Sequence, residues 1–262
     1  MEKPQLLVFD YPGRRDTKHV SDLRLEDDGF DVRYAMNSEL PDELYAESYA
    51  RALVRNSGVE PSSVAGVIGY CMAGHLAQEA VAQLTAVRGT APPLILLDSG
   101  PCPAQAVEEE CRTAFAAFGG DEAVAVLDAA SDGLLFSAAA LRDDPRRTIE
   151  EVRKILRSFA MDTMADDGAS IEEIQDSAEL FIEHYVGWIT HLVAAHNNAA
   201  PRWNGDVLHI VSRDHPFRGD WPGASTMTSV VVDSVGNDPV SEAATRDSIL
   251  SRLRRTSSLG TA

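Results

Sequence analysis

Val67-Ile68-Gly69-Tyr70-Cys71-Met72-Ala73-Gly74-His75-Leu76-Ala77 is the stretch whose reading decides the fold. An apolar run, Val64 to Ile68, meets a Gly-x-Cys-x-Ala-Gly turn, and a helix-like segment from His75 to Leu84 follows at once. This is the strand–turn–helix pattern of a nucleophile elbow, in which the nucleophile sits on a sharp, strained turn. Small residues must flank it so that strand and helix can approach. Here they are Gly69, Ala73 and Gly74, with Cys71 at the apex.

Apolar runs on either side predict further strands. Gln5–Phe9 ends at Asp10-Tyr11-Pro12-Gly13, Phe30–Tyr34 alternates, and Leu94–Leu97 ends at Asp98-Ser99-Gly100-Pro101. Pro41 opens a predicted helix reaching about Arg55. Four strands separated by crossovers and helices imply an α/β chain with a mostly parallel, doubly covered sheet. From Pro103 to Asn198 the strand signal disappears, and helices are expected at 104–118, 121–130, 145–160, 170–176 and 177–196. That region reads as a helical insertion, so the predicted organisation is a core of 1–102 and 199–255 with an insertion of 103–198. Strands return at Val207–Val211 and Thr228–Val232, a last helix is expected at about 241–254, and 256–262 is expected to be a disordered tail.

The 262 residues carry a net charge of -18 and a pI of about 4.7, which argues against nucleic acid or an anionic membrane surface as partner. Cys71, Cys102 and Cys111 form no CxxC pair and no zinc spacing, so no metal is expected and a reducing compartment is. No signal peptide and no apolar stretch of membrane-spanning length is visible, and the expected location is cytoplasmic.

In this order the chain resembles an α/β-hydrolase with a helical lid. More narrowly it resembles the thioesterase domains that end nonribosomal-peptide and polyketide assembly lines, along nearly its whole length. Phe9-Asp10-Tyr11-Pro12 loosely matches the family's opening Phe-Pro-Pro-like turn. Gly69 to Gly74 matches the elbow Gly-Tyr-Ser-x-Gly-Gly, with Cys71 at the nucleophile and Ala73 for the first paired glycine. Leu97-Asp98-Ser99 matches the triad acid, 27 residues after Cys71. The helix 177–196 and a linker through Trp221 also have counterparts. The resemblance implies oxyanion donors at the Met72 N–H and near Pro12, which has no N–H, leaving Tyr11 or Gly13. It implies a histidine after the last strand, where this chain has Gly236-Asn237-Asp238-Pro239, so that Asp238 stands in the base position. It further implies a carrier-protein substrate presenting its acyl group on a phosphopantetheine arm, a small-molecule acyl acceptor and no other cofactor.

A cysteine can act with less help than serine, because some thiolate exists at neutral pH and is strongly nucleophilic. Carboxylates at Asp98 and Asp238 would disfavour thiolate, or share a proton as an acid–base pair. The first functional expectation is therefore acyl transfer through Cys71 rather than plain hydrolysis. A binding protein that keeps the elbow without turnover is the alternative, as is cyclisation or isomerisation by the two acids without acylation. A Cys hydrolase similar to dienelactone hydrolases would need a histidine beyond His215, and the chain has none. His215 is the candidate base, beside Asp214. His75, one turn past Cys71, and His184, His191 and His196 on the helix 177–196 read as packing or surface residues. Nothing in the sequence argues for His19 or His209. Cys102 and Cys111 read as structural, and Phe181, Tyr185 and Trp188 as helix core rather than substrate wall.

Overall fold

In the computed structural model six strands lie in one sheet: β1 (Gln5–Phe9), β2 (Asp31–Tyr34), β3 (Val64–Tyr70), β4 (Leu94–Leu97), β5 (Asp206–Ser212) and β6 (Thr226–Val232). The structure describes residues 3–12, 18–37, 39–131, 134–164, 171–198, 203–234 and 238–259. Every pairing is parallel, in the order β2-β1-β3-β4-β5-β6. A parallel sheet covered on both faces takes uninterrupted apolar strands, and Leu94, Ile95, Leu96 and Leu97 are all fully buried. This is the α/β fold with a parallel central sheet expected from the sequence.

One face of the sheet is closed by α7 (Ala243–Leu259) and by the segment Val20–Leu25. Leu6, Val8, Ile68, Tyr70, Ile95, Leu97 and Ile210 form one core with Val20, Leu23, Val240, Ile249 and Leu253, and Cys71 packs against it. The helices α1 (Ala46–Asn56) and α2 (Gly74–Arg88) pack on each other, and α2 packs on β3 and β4. The chain runs β1 to β2 on one side and then crosses back to β3 on the other side of β1. That reversal makes the carboxyl ends of β1 and β3 the crevice in which open α/β sheets bind ligands.

The chain divides into two compact units, one of 1–41, 46–101 and 198–262, the other of 42–45 and 102–197. The second unit is helical: α3 (Ala104–Ser131), α4 (Ala138–Asp143), α5 (Pro145–Met164) and α6 (Ile171–His196). Of the helices expected as pairs, 170–176 and 177–196 form one helix from Ile171, whereas 104–118 and 121–130 are two helices that meet at the expected glycine break. In α3 the break is a kink, with Gly120 at φ 63° and Gly119 so close to Phe159 that a Cβ would meet its ring at 2.2 Å. Arg157 bonds Glu179 at 2.7 Å and Arg153 bonds Glu183 at 3.1 Å between α5 and α6; such half-exposed pairs contribute at most about 1 kcal/mol each. Residues 42–45 precede α1 instead of opening it, and α7 continues to Leu259, past the end expected near 254. Among the described residues no helix is long and apolar enough to cross a membrane.

The junction of β3 and α2 admits no side chain at two points. A Cβ on Gly69 would lie 2.7 Å from the Gly74 Cα and 2.8 Å from the Ala77 Cβ. Gly69→Ala should therefore lower unfolding stability by about 1–3 kcal/mol. A urea midpoint equal to that of the parent chain would show that strand and helix are not pressed together there.

Candidate active site

At the carboxyl end of β3 the chain turns through Cys71, whose φ is +55°, into a 3-10 turn (Cys71–Ala73) and then α2. A left-handed conformation at a residue with a Cβ costs about 1–3 kcal/mol and persists only where its surroundings enforce it. They do so here: besides the Gly69 contact, a Cβ on Gly74 would lie 2.6 Å from the Ser99 Oγ. Cys71 is partly exposed, whereas Cys102 and Cys111 are buried. The Met72 amide opens the turn, among the N–H groups that a helix start leaves without intrahelical partners. Tyr11 is buried just beyond the end of β1.

Leu97 pairs with Tyr70, so Asp98 and Cys71 leave adjacent strands side by side. Asp98 is also left-handed, at φ +40°. Its carboxylate is held by β5: the Ser212 N–H donates to Oδ1 at 2.7 Å, and the Ser212 hydroxyl donates to Oδ2. Burial raises the Asp98 pKa above the ordinary carboxylate range, while the Ser212 donors and the charges of His215 and Arg218 oppose it. The Arg218 guanidinium donates to the Ser212 carbonyl at 2.8 Å.

His215 follows β5. Its Nδ1 lies 3.3 Å from the Phe217 carbonyl, and its ring is beside Gly100. The structure thus brings His215 to Asp98, with the strand carrying Asp98 between it and the strand carrying Cys71. Asp238 stands at the N-cap of a 3-10 turn (Pro239–Ser241) after β6, and its buried Oδ1 has no hydrogen-bond partner among the described residues. Gly236 and Asn237 lie outside the described residues. The 239–241 turn packs on β5 and on the 3-10 turn Val20–Leu23, so it reaches back toward the carboxyl end of β1.

The other histidines fall into place by packing. His75 is buried, with Nε2 3.0 Å from the Gly100 carbonyl and its ring 4.8 Å from that of Trp221. Trp221 in turn donates to Gln78 of α2 at 3.0 Å. His184 is exposed, His191 is buried and stacked on Trp188, and His196 Nδ1 lies 2.8 Å from the Cys102 carbonyl. Tyr185 and Trp188 are buried; the Phe181 side chain is outside those described. Burial pushes the Cys111 thiol well up. Among the described residues no group of three or more His, Cys, Asp or Glu could hold a metal ion.

One pairing was invisible in the sequence. Asp10, buried just beyond β1, places Oδ2 3.2 Å from His19 Nδ1 and accepts the Val20 N–H at 2.8 Å. No local motif announces a nine-residue side-chain pair across a loop.

No family model matches the sequence, and no curated protein does. The chain is similar to several solved structures. The Vlm2 thioesterase domain bound with a dodecadepsipeptide matches at 13% identity and TM-score 0.46, covering 96% of each chain. The RedJ thioesterase of the prodiginine biosynthetic pathway in Streptomyces coelicolor matches at 17% identity and TM-score 0.44, covering 95% of this chain and 88% of that one. A putative epoxide hydrolase from Pseudomonas aeruginosa matches at 14% identity and TM-score 0.46, covering 97% and 89%.

His209, inward on β5, tests the electrostatics of this edge. Burial first, then the charges of His215 and Arg218, lowers its pKa to about 4, against a hydrogen bond to the Ser99 backbone. The native state then binds fewer protons than the unfolded chain between about pH 6.5 and 4, so His209 stabilises the fold above that window and the contribution is lost as pH falls through it. NMR titration should show its imidazole neutral at pH 5.5; a midpoint near 6.5 would contradict its burial.

Proposed function

We propose that the chain is a thioesterase-like acyl-transfer enzyme that takes an acyl or aminoacyl group from a carrier-bound thioester onto Cys71. The observation that carries this reading is the left-handed Cys71, forced by the Gly69 and Gly74 contacts at the carboxyl edge beside the strand-order reversal. A structural cysteine has no need of that strain.

In this mechanism the Cys71 thiolate attacks the thioester carbonyl carbon. The oxyanion is met by the Met72 N–H, with the Tyr11 N–H on the neighbouring strand end as second donor. Collapse forms the Cys71 thioester and breaks the donor's S–C bond; the departing thiolate takes the proton that left Cys71. An acceptor thiol, amine or hydroxyl then attacks the acyl-enzyme. Asp98, tied to Ser212, shapes the edge beside the thiol. Asp238, whose Oδ1 has no hydrogen-bond partner among the described residues, is the carboxylate suited to the acceptor's N–H or O–H. A second reading, holding a carrier-bound intermediate without turnover, is favoured by Asp238 standing where the hydrolase plan has histidine.

Incubation with a panel of acyl-pantetheine thioesters, followed by intact-mass measurement, should add one acyl mass to the parent chain and none to Cys71→Ala. No gain on the parent, or an equal gain on Cys71→Ala, would sink covalent transfer; saturable binding without a gain would favour holding.

A further inference from the structure

We infer that Asp10 and His19, from the loop after β1, form the proton-transfer pair for the Cys71 thiol, with His19 as the base and Asp10 as its positioning residue. This rests on the reading of Cys71 as the nucleophile.

Three observations converge. First, the pair is built. The His19 ring is held by Asp10 Oδ2 at 3.2 Å, the His19 backbone N–H donates to the Asp22 carboxylate at 2.8 Å, and the His19 carbonyl accepts the Asp22 N–H at 2.9 Å. Asp10 is 7% exposed and receives the Val20 N–H on the same oxygen, so Oδ2 is held by backbone and ring together. A solvated surface histidine is not held at backbone and ring together.

Second, strand order puts the pair at the end of β1, the strand next to the one that ends in the thiol. Phe9 pairs with Gly69, so Asp10 lies next to Tyr70 on the adjacent strand, about 5 Å away at ordinary strand spacing. Asp10 continues the alternation of Leu6 and Val8, which face the core against which Cys71 packs. Val20, the residue after His19, belongs to the same core.

Third, the pair borders the place where the hydrolase plan puts its base. The turn Val20–Leu23 packs on the turn Pro239–Ser241, and Asp238 stands at the N-cap of the latter.

The chemistry follows from the tautomer. With Nδ1–H donated to Asp10, Nε2 is left as the acceptor. The thiol proton moves to Nε2, giving thiolate and imidazolium, and Asp10 stabilises the imidazolium without being protonated. On acyl transfer the imidazolium returns the proton to the leaving thiolate. The charged groups around the pair are Asp22, bonded to the His19 backbone, and Glu26 on the same segment, Asp28 paired with Arg246 of α7, and Asp238 at the head of the opposing turn, with Lys18 adjacent in sequence. Tyr34 of β2, whose hydroxyl donates to Glu26, is held protonated by its burial and by these carboxylates.

The test is the pH profile of Cys71 alkylation by iodoacetamide, read by intact mass, with Cys71→Ala as the blank. It needs no acyl donor. The parent chain should react with an inflection well below 8.5, the value of an unassisted thiol. His19→Gln should move the inflection up toward 8.5 and slow the reaction at pH 7 by roughly tenfold or more, because the thiolate fraction falls by that factor. Asp10→Asn, which keeps an acceptor for the Val20 N–H, should give an intermediate shift at an unchanged melting temperature. A His19→Gln profile superimposed on the parent's, or one lowered equally at every pH, would overturn the assignment. Acyl loading of Cys71 with a profile indifferent to His19 defeats the pair alone; a His19-dependent profile with no loading by any donor defeats the acyl-transfer reading alone.

Discussion

The contact on which the rest depends is the wedge at the start of α2. Gly69 of β3 is pressed against Gly74, and Gly74 against Ser99, just past β4. The helix N-terminus therefore sits between the ends of two neighbouring strands with no room for a side chain on either side. Strand β3 can reach such a helix only by reversing within one residue, and that residue is Cys71 at φ +55°. The same wedge accounts for the second strained position. Ser99 meets Gly74 only if the chain bends sharply out of β4, and Asp98 makes that bend at φ +40°. One steric constraint thus sets the backbone of both the proposed nucleophile and the expected acid. Local strain of this kind is retained where the packing around it over-determines the geometry.

Strand order then sorts the charged groups about the thiol. On one side lie β4 and β5, with Asp98 clamped by Ser212 and with His215 and Arg218 near it. On the other lies β1, with Asp10 and His19. A carboxylate that accepts two donors from β5 is committed to joining those strands, and its raised pKa records that burial outweighs the donors. The acid already bonded to an imidazole is Asp10, on the β1 side of the thiol, away from Asp98.

The elbow was legible because its requirement is local: small residues at fixed offsets between an apolar run and a helix. The strands were legible because parallel strands buried on both faces are apolar without interruption, as Leu94–Leu97 is. What could not be read depends on residues far apart in the chain. Ser212 lies 114 positions from Asp98, and nothing about a serine ending a strand marks it as a carboxylate clamp. His19 and Asp10 are only nine apart, but no local motif marks a side-chain pair at that spacing. The stop at Gly119-Gly120 was legible for the same local reason as the elbow: the second glycine adopts φ 63°, and one helix ends and the next begins at a kink that seats Phe159.

Chain order is a weak guide to where a base must come from. What a thiol requires of a base is position, and two turns that could offer one, after β1 and after β6, pack on each other. Either turn can supply the side chain, and the turn that does not must tolerate what the other brings. Asp238 after β6 meets that condition: a carboxylate facing an imidazolium is favourable, whereas a second histidine there would place two bases against one thiol and repel on protonation. On the proposed reading the carboxylate at 238 and the histidine held at 19 serve one site from two ends of the chain, with the base supplied by the turn after β1.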